Sequence, residues 1–275
     1  MGTNFRVSAP GKIILSGEHS VVYGYPALVS AVDKRLQIDS NGKINSNIPI
    51  GSGMGSSAAF AVATSAFKLL KAGKTWDLAQ INKNAYELEE KQHGNPSGVD
   101  NTVSTYGGFL WYRKETELVK TFQNLNIRVK LPQLFIINSG KPKESTKEMV
   151  AKVNESFKNN PKKITRTFAG IEEITKSFAK VITGEKGFDI KELIKVNETF
   201  LEDLKVVSKS TKELVRQLEK IGAVAKVSGA GGYKAESGIL IAYHKVPEKL
   251  LKFAKNNKLD IFGVKLGTEG VRIEK

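Results

Sequence analysis

The segment PIGSGMGSSAA (residues 49–59) places three glycines within five residues, directly before two serines and an Ala-rich stretch. Backbone without side chains can close around a bulky anion, and a helix start adds unpaired N–H groups and the positive end of a dipole. The segment therefore reads as an anion cradle feeding a helix over Ser56–Leu70, with Ser56 or Ser57 as cap and Gly73 as stop. It lacks the lysine of GxxxxGK[ST], so it is not a Walker A loop, and it lacks the βαβ setting of a dinucleotide fingerprint. Taken alone, an ordinary Gly-rich turn before a helix is the competing reading. A second glycine turn, SGAGG at 228–232, follows a strand-like run. It could close over the other side of the same anion, or be a tight hairpin.

Around these two loops lies a chain of 275 residues, 40% hydrophobic and 26% charged, which excludes disorder and collagen and leaves one large or two medium domains. With no cysteine there is no disulfide framework, thiolate zinc site or cysteine nucleophile. No apolar run approaches the roughly 18 residues of a membrane span, and MGTNFRVSAPGK has no signal-peptide character. A cytoplasmic protein with no membrane partner is expected. Lysine and arginine outnumber aspartate and glutamate by 43 to 28, a formal charge of +15. That charge suits nucleic acid, a membrane surface or an anionic small molecule, and equally a solubilising lysine face, because the lysines are dispersed among glutamates.

Phe5–Ile14 is broken at Pro10 and Gly11 and predicts two short strands joined by a turn. Asp77–Gln92 predicts a helix whose apolar face is Leu78, Ile81, Ala85 and Leu88. Glu87, Glu89 and Glu90 oppose the dipole near its end, so another reason must hold them there. HGNPSGVD (93–100) is a turn-rich loop before an aromatic strand ending near Tyr112. A strand over Leu134–Ile137 is followed by helices at 143–158, 162–183 and 189–221. Strand, glycine loop, strand, helix and strand then complete the chain. Strands with helices segregated around them indicate an α+β fold, with a domain boundary at 132/133.

Among charged residues, Asp100 closes a Gly-Val-Asp turn, Lys12 follows the first strand in APGK, and Glu89 could hold Mg²⁺ together with a hydroxyl of the cradle. Mg²⁺ takes few protein oxygens when phosphates complete its shell. A solvated surface charge is the competing reading of each. His19, His93 and His244 have no metal-ligand spacing.

APGKIILSGEHSVVYGYPAL (9–28), PIGSGMGSSAA (49–59) and KVSGAGGYK (226–234) together resemble the three ordered motifs of the galactokinase, homoserine, mevalonate and phosphomevalonate (GHMP) kinase superfamily. Within it, HGNPSGVDNTVSTYGG (93–108) is similar to the mevalonate kinase branch. The resemblance implies a two-domain GHMP kinase fold: a ribosomal-protein S5 domain 2-like domain over 1–132 and a ferredoxin-like domain over 133–275, with ATP and substrate between them. It implies transfer of the ATP γ-phosphoryl to the 5-hydroxyl of mevalonate, with Asp100 as catalytic carboxylate and Lys12 as its cationic neighbour. Nucleotide binding would fall to Gly51, Ser52, Gly53, Met54, Gly55, Ser56, Ser57 and Ala58 on one side, and to Gly229, Ala230 and Gly231 on the other. Ser57 and Glu89 would hold Mg²⁺. Glu18 and His19 match the GEH segment facing the acceptor, and Ser139 matches a family threonine near the phosphates.

Only Val29–Ile48 separates the first motif from the cradle, which leaves the base pocket open among weak base selectivity, a pocket rebuilt from residues such as Tyr106 or Tyr233, and a phosphoryl donor other than ATP. Lys234 is either a phosphate contact or a surface lysine. Phosphomevalonate kinase, mevalonate 3-kinase and diphosphomevalonate decarboxylase are the rivals within the superfamily. The lysine paired with the aspartate and the NPSGVDN loop favour mevalonate. A basic nucleic-acid-binding module is the rival outside it, but would require a clustered basic face with aromatics. The expected partners are therefore a small-molecule acceptor and a nucleotide, not nucleic acid. A homodimer is compatible with all of this.

Overall fold

The computed structural model describes residues 5–49, 51, 53–93, 97–116 and 119–274. The first sheet contains β1 (Arg6–Ser16), β2 (Pro26–Asp39), β3 (Ile44–Ser46), β4 (Phe109–Lys114) and β5 (Lys120–Leu125). Helices α1 (Ser56–Lys71), α2 (Leu78–His93) and α3 (Val99–Tyr106) lie between β3 and β4 in the chain. The second half comprises β6 (Leu134–Asn138), α4 (Thr146–Asn159), α5 (Pro161–Thr183), α6 (Ile190–Asp203) and α7 (Lys209–Lys220). It continues through β7 (Val224–Ser228), β8 (Ile239–Tyr243), α8 (Pro247–Asn256), β9 (Asp260–Val264) and β10 (Arg272–Glu274).

Both sheets are antiparallel, one in the order β10-β1-β2-β4-β5 with β3 on β2, the other β7-β8-β6-β9. The expected α+β class holds. The boundary expected at 132/133 falls between the two sheets, yet β10 crosses back to pair with β1.

Alanine explains how α1 seats: Ala59, Ala63 and Ala66 are fully buried, and such small side chains let the helix lie close to Val7, Ala9 and Ile13 of β1. Between the first sheet and α3, Ile14 of β1, Val29 and Ala31 of β2 and Tyr112 of β4 cluster with Val99 and Val103. The second sheet is covered through Phe168, Ile171, Leu201 and Val215. Aromatic packing joins the halves, with Tyr23 4.8 Å from the Phe168 ring and 5.2 Å from Phe157.

Two sequence expectations need correction. Phe5–Ile14 is not two strands and a turn; β1 runs unbroken from Arg6 to Ser16 with register shifts against β2 between Pro10 and Lys12 and between Ile14 and Ser16. Proline cannot donate to a ladder, and the strand accommodates it by an irregularity instead of ending. The stretch 189–221 is two helices: Lys205 is left-handed (φ 59) after α6, and Ser208 caps α7 by accepting from Thr211 N. Burial of Leu204, Val206 and Val207 continues the apolar pattern across the break, which hid it.

Candidate active site

The irregularity in β1 positions the cradle. Lys12 N donates to Met54 O at 2.9 Å, docking Gly53–Gly55 on the strand. Gly55 is left-handed (φ 74), and a side-chain carbon there would lie 2.8 Å from Cγ of Lys12, so the loop and the lysine stem can be in contact only at a glycine. Gly55, not a serine hydroxyl, is the N-cap of α1. That corrects the expected cap: Ser57 turns its hydroxyl to the Glu89 carboxylate instead. A carbon on Gly53 would meet Ser228 O at 3.3 Å, and one on Gly229 would lie 3.7 Å from Gly53 O. The two glycine loops therefore touch, although they are far apart in sequence.

Asp100 occupies the first turn of α3, where the helix dipole favours a carboxylate. Its Oδ2 lies 3.2 Å from Lys12 Nζ, with the lysine side chain 4% and the aspartate 35% exposed. The pair thus presents its acidic partner to solvent and keeps its cation beneath. Glu89 is the reason for the acidic end of α2: Glu87 and Glu90 are exposed, whereas Glu89 is 5% exposed. Burial first, and then the nearby Asp100 charge, push its carboxyl up to about 7.

Glu18 and His19 lie beneath the second loop. The Glu18 side chain has no exposed surface and is ion-paired with Lys226, itself wholly buried in β7. Lys226 Nζ also donates to Ile14 O at 3.2 Å, and Ser228 Oγ accepts from Ile14 N at 2.9 Å. Glu198 of α6 accepts from Val227 N at 2.8 Å. Burial raises both Glu18 and Glu198, and Lys226 opposes it. The His19 Nε2–H donates to Ala230 O at 2.9 Å, from a backbone with φ 61. The GEH turn thus carries the second glycine loop. The buried pairing of Lys226 and the place of Glu198 beside it are what sequence reasoning missed; a single lysine inside the apolar run of β7 was the one signal.

Burial lowers the His19 imidazole from 6.5 to about 4. Between those values the unfolded chain binds a proton that the folded chain does not. Stability is therefore expected to fall as pH drops through that window, and His19→Gln to flatten the slope in urea titrations. Identical slopes in the two proteins would contradict this environment.

Met54 and Ala58 are buried, so what they offer a ligand is backbone. Ser56 is half-buried at the first position of α1. Gly231 is buried beside Val206 O, and Ser52 lies outside the described residues, as do Gly94, Asn95 and Pro96 of the 93–100 loop. Ser139 bonds to the protein itself, donating to Gly238 O at 2.7 Å and accepting from Ser237 N at 3.3 Å. Tyr106 packs tilted against Phe122, ring centroids 4.8 Å apart, while Tyr233 carries Lys152 Nζ over its ring at 3.9 Å. Lys234 is exposed, its ammonium 5.5 Å from the Tyr233 centroid. No helix among the described residues is long and apolar enough to cross a membrane.

Touching glycine loops beside an aspartate–lysine pair suit transfer of a phosphoryl group to a small molecule. Residues 24–108 match the family of GHMP kinases N terminal domains. The mevalonate kinase of Archaeoglobus fulgidus is 32% identical, over 82% of this chain and 88% of its own, and that of Thermococcus sibiricus is 31% identical over 97% of both. The structure of L. major mevalonate kinase in complex with R-mevalonate superposes with a TM-score of 0.80 at 21% identity, over 96% of each chain. The chain belongs to the GHMP kinases and, within them, to the mevalonate kinase family.

Proposed function

We propose that this chain transfers the γ-phosphoryl group of ATP to the 5-hydroxyl of mevalonate, giving 5-phosphomevalonate. The observation that carries the reading is the Asp100–Lys12 pair, 3.2 Å apart and docked against Gly55 of the glycine cradle. An ADP-release assay with mevalonate, phosphomevalonate, diphosphomevalonate, homoserine and galactose tests it. Turnover with mevalonate alone is expected; turnover confined to phosphomevalonate would replace the acceptor.

Phosphoryl transfer passes through a loose transition state, so catalysis is mostly alignment and neutralisation of charge. Backbone N–H groups of Gly53–Ser57 and the dipole of α1 would hold the polyphosphate, with Gly229–Gly231 closing the other side. Asp100 would accept the hydrogen bond of the acceptor hydroxyl and then its proton. Lys12, held under Asp100, would orient that carboxylate and face the charge building on the transferred group.

Mg²⁺ fits the residues present. Glu89 is a buried carboxylate facing another acidic group with Lys12 as its cation, and the Ser57 hydroxyl adds a second hard oxygen. Mg²⁺ takes only one or two protein oxygens where nucleotide phosphates complete its shell, so a sparse ligand set is no objection. Bound there, the ion would neutralise phosphate charge. Glu89→Gln is expected to raise the Mg²⁺ concentration for half-maximal activity by at least the roughly 10–100-fold that loss of an outer-shell partner alone brings. A magnesium titration of activity checks this, and an unchanged midpoint would remove Glu89 from the set.

A further inference from the structure

The cradle has no lysine of its own, yet a lysine from the other half of the molecule lies along it. A side-chain carbon placed on Gly51 would sit 3.4 Å from Cε of Lys141, 3.5 Å from its Cδ and 3.8 Å from its Cγ. The stem of Lys141 therefore runs beside the first glycine of the loop. Among the described residues Lys141 forms no ion pair, whereas Lys12 is committed to Asp100.

The turn that presents Lys141 is held in place. Ser139 N and Oγ both donate to Gly238 O, at 2.9 and 2.7 Å, and Gly140 N donates to Asn138 Oδ1 at 3.1 Å. Pro142 follows, which disfavours helical backbone at Lys141. A fixed backbone, an apolar stem against a glycine and an ammonium outside any ion pair put a point charge beside the loop.

The geometry points to Lys141 as a nucleotide-binding residue that contacts the polyphosphate from the second half of the molecule, in place of the lysine a Walker loop carries within itself. This rests on Gly51–Gly55 being the phosphate cradle of the proposed kinase.

Calorimetry with Mg²⁺-ADP and with a non-hydrolysable Mg²⁺-ATP analogue tests the assignment on Lys141→Met, Lys141→Arg and Lys143→Met. Lys143 is exposed in the same turn and serves as the control for general charge loss. Lys141 is exposed, so these variants should fold. Lys141→Met is expected to weaken nucleotide binding about tenfold, the scale of one charge-assisted contact, with a shallower salt dependence. Lys141→Arg and Lys143→Met should stay within about twofold on the same scale, and the acceptor KM should be unchanged in all three. Wild-type nucleotide affinity in Lys141→Met would overturn the assignment, as would a raised acceptor KM with nucleotide binding intact. Failure of the unsubstituted protein to bind nucleotide would instead overturn the kinase reading, so the two failures are distinct.

Discussion

Asp100→Asn is expected to lower kcat by about 10²–10⁴-fold, the usual contribution of a positioned general base, while nucleotide affinity stays near that of the parent. Asparagine keeps the shape and can still accept a hydrogen bond from Lys12 through its amide oxygen. It cannot take the hydroxyl proton or carry charge. The Lys12 side chain is 4% exposed, so the substitution also strips a nearly buried cation of its counter-ion. A lower melting temperature should accompany the lost turnover. Single-turnover rates with saturating mevalonate and ATP, alongside calorimetric nucleotide binding, separate the two effects. Turnover like that of the parent would remove Asp100 from the chemistry.

Lys226→Met is expected to be the most destabilising single change, by about 3–5 kcal/mol, because removing one partner of a buried pair leaves an uncompensated charge. Here buried Glu18 loses its ion-pair partner, buried Glu198, held by Val227 N, loses a nearby cation, and the bond to Ile14 O is lost as well. Glu18→Leu combined with Lys226→Met should recover much of that loss, since an apolar pair of similar volume often replaces a buried ion pair at little cost. Denaturant unfolding of the two variants measures this. A single variant within about 0.5 kcal/mol of the parent, as for an ordinary surface change, would contradict the environment assigned to Lys226.

What could be read in the residues beforehand follows from the range of the interactions. The cradle and its helix were legible because glycine spacing and a helix start are local signals. Asp100 and Glu89 drew attention for local reasons too, one ending a turn and the other opposing a dipole. Contact between the loops at Gly53 and Gly229 depends on how two sheets are set against each other, which no local pattern encodes. The same applies to Lys226: a lysine in a strand reads as a solvated face until Glu18, more than two hundred residues away, is placed against it. Pro10–Gly11 misled because the usual meaning of that dipeptide is a turn, and tertiary pairing of β1 with both β2 and β10 overrode it. The position of Lys141 has the same character, since only the folded chain brings residue 141 beside residue 51.

The arrangement as a whole is tested most directly by a crystal structure with a non-hydrolysable ATP analogue, Mg²⁺ and mevalonate bound together. The polyphosphate is expected to lie between Gly53–Ser57 and Gly229–Gly231, the metal on Glu89 and Ser57, and the 5-hydroxyl within hydrogen-bond reach of Asp100, about 2.6–3.2 Å. A nucleotide seated away from both glycine loops, or an acceptor hydroxyl remote from Asp100 in that ternary complex, would contradict it.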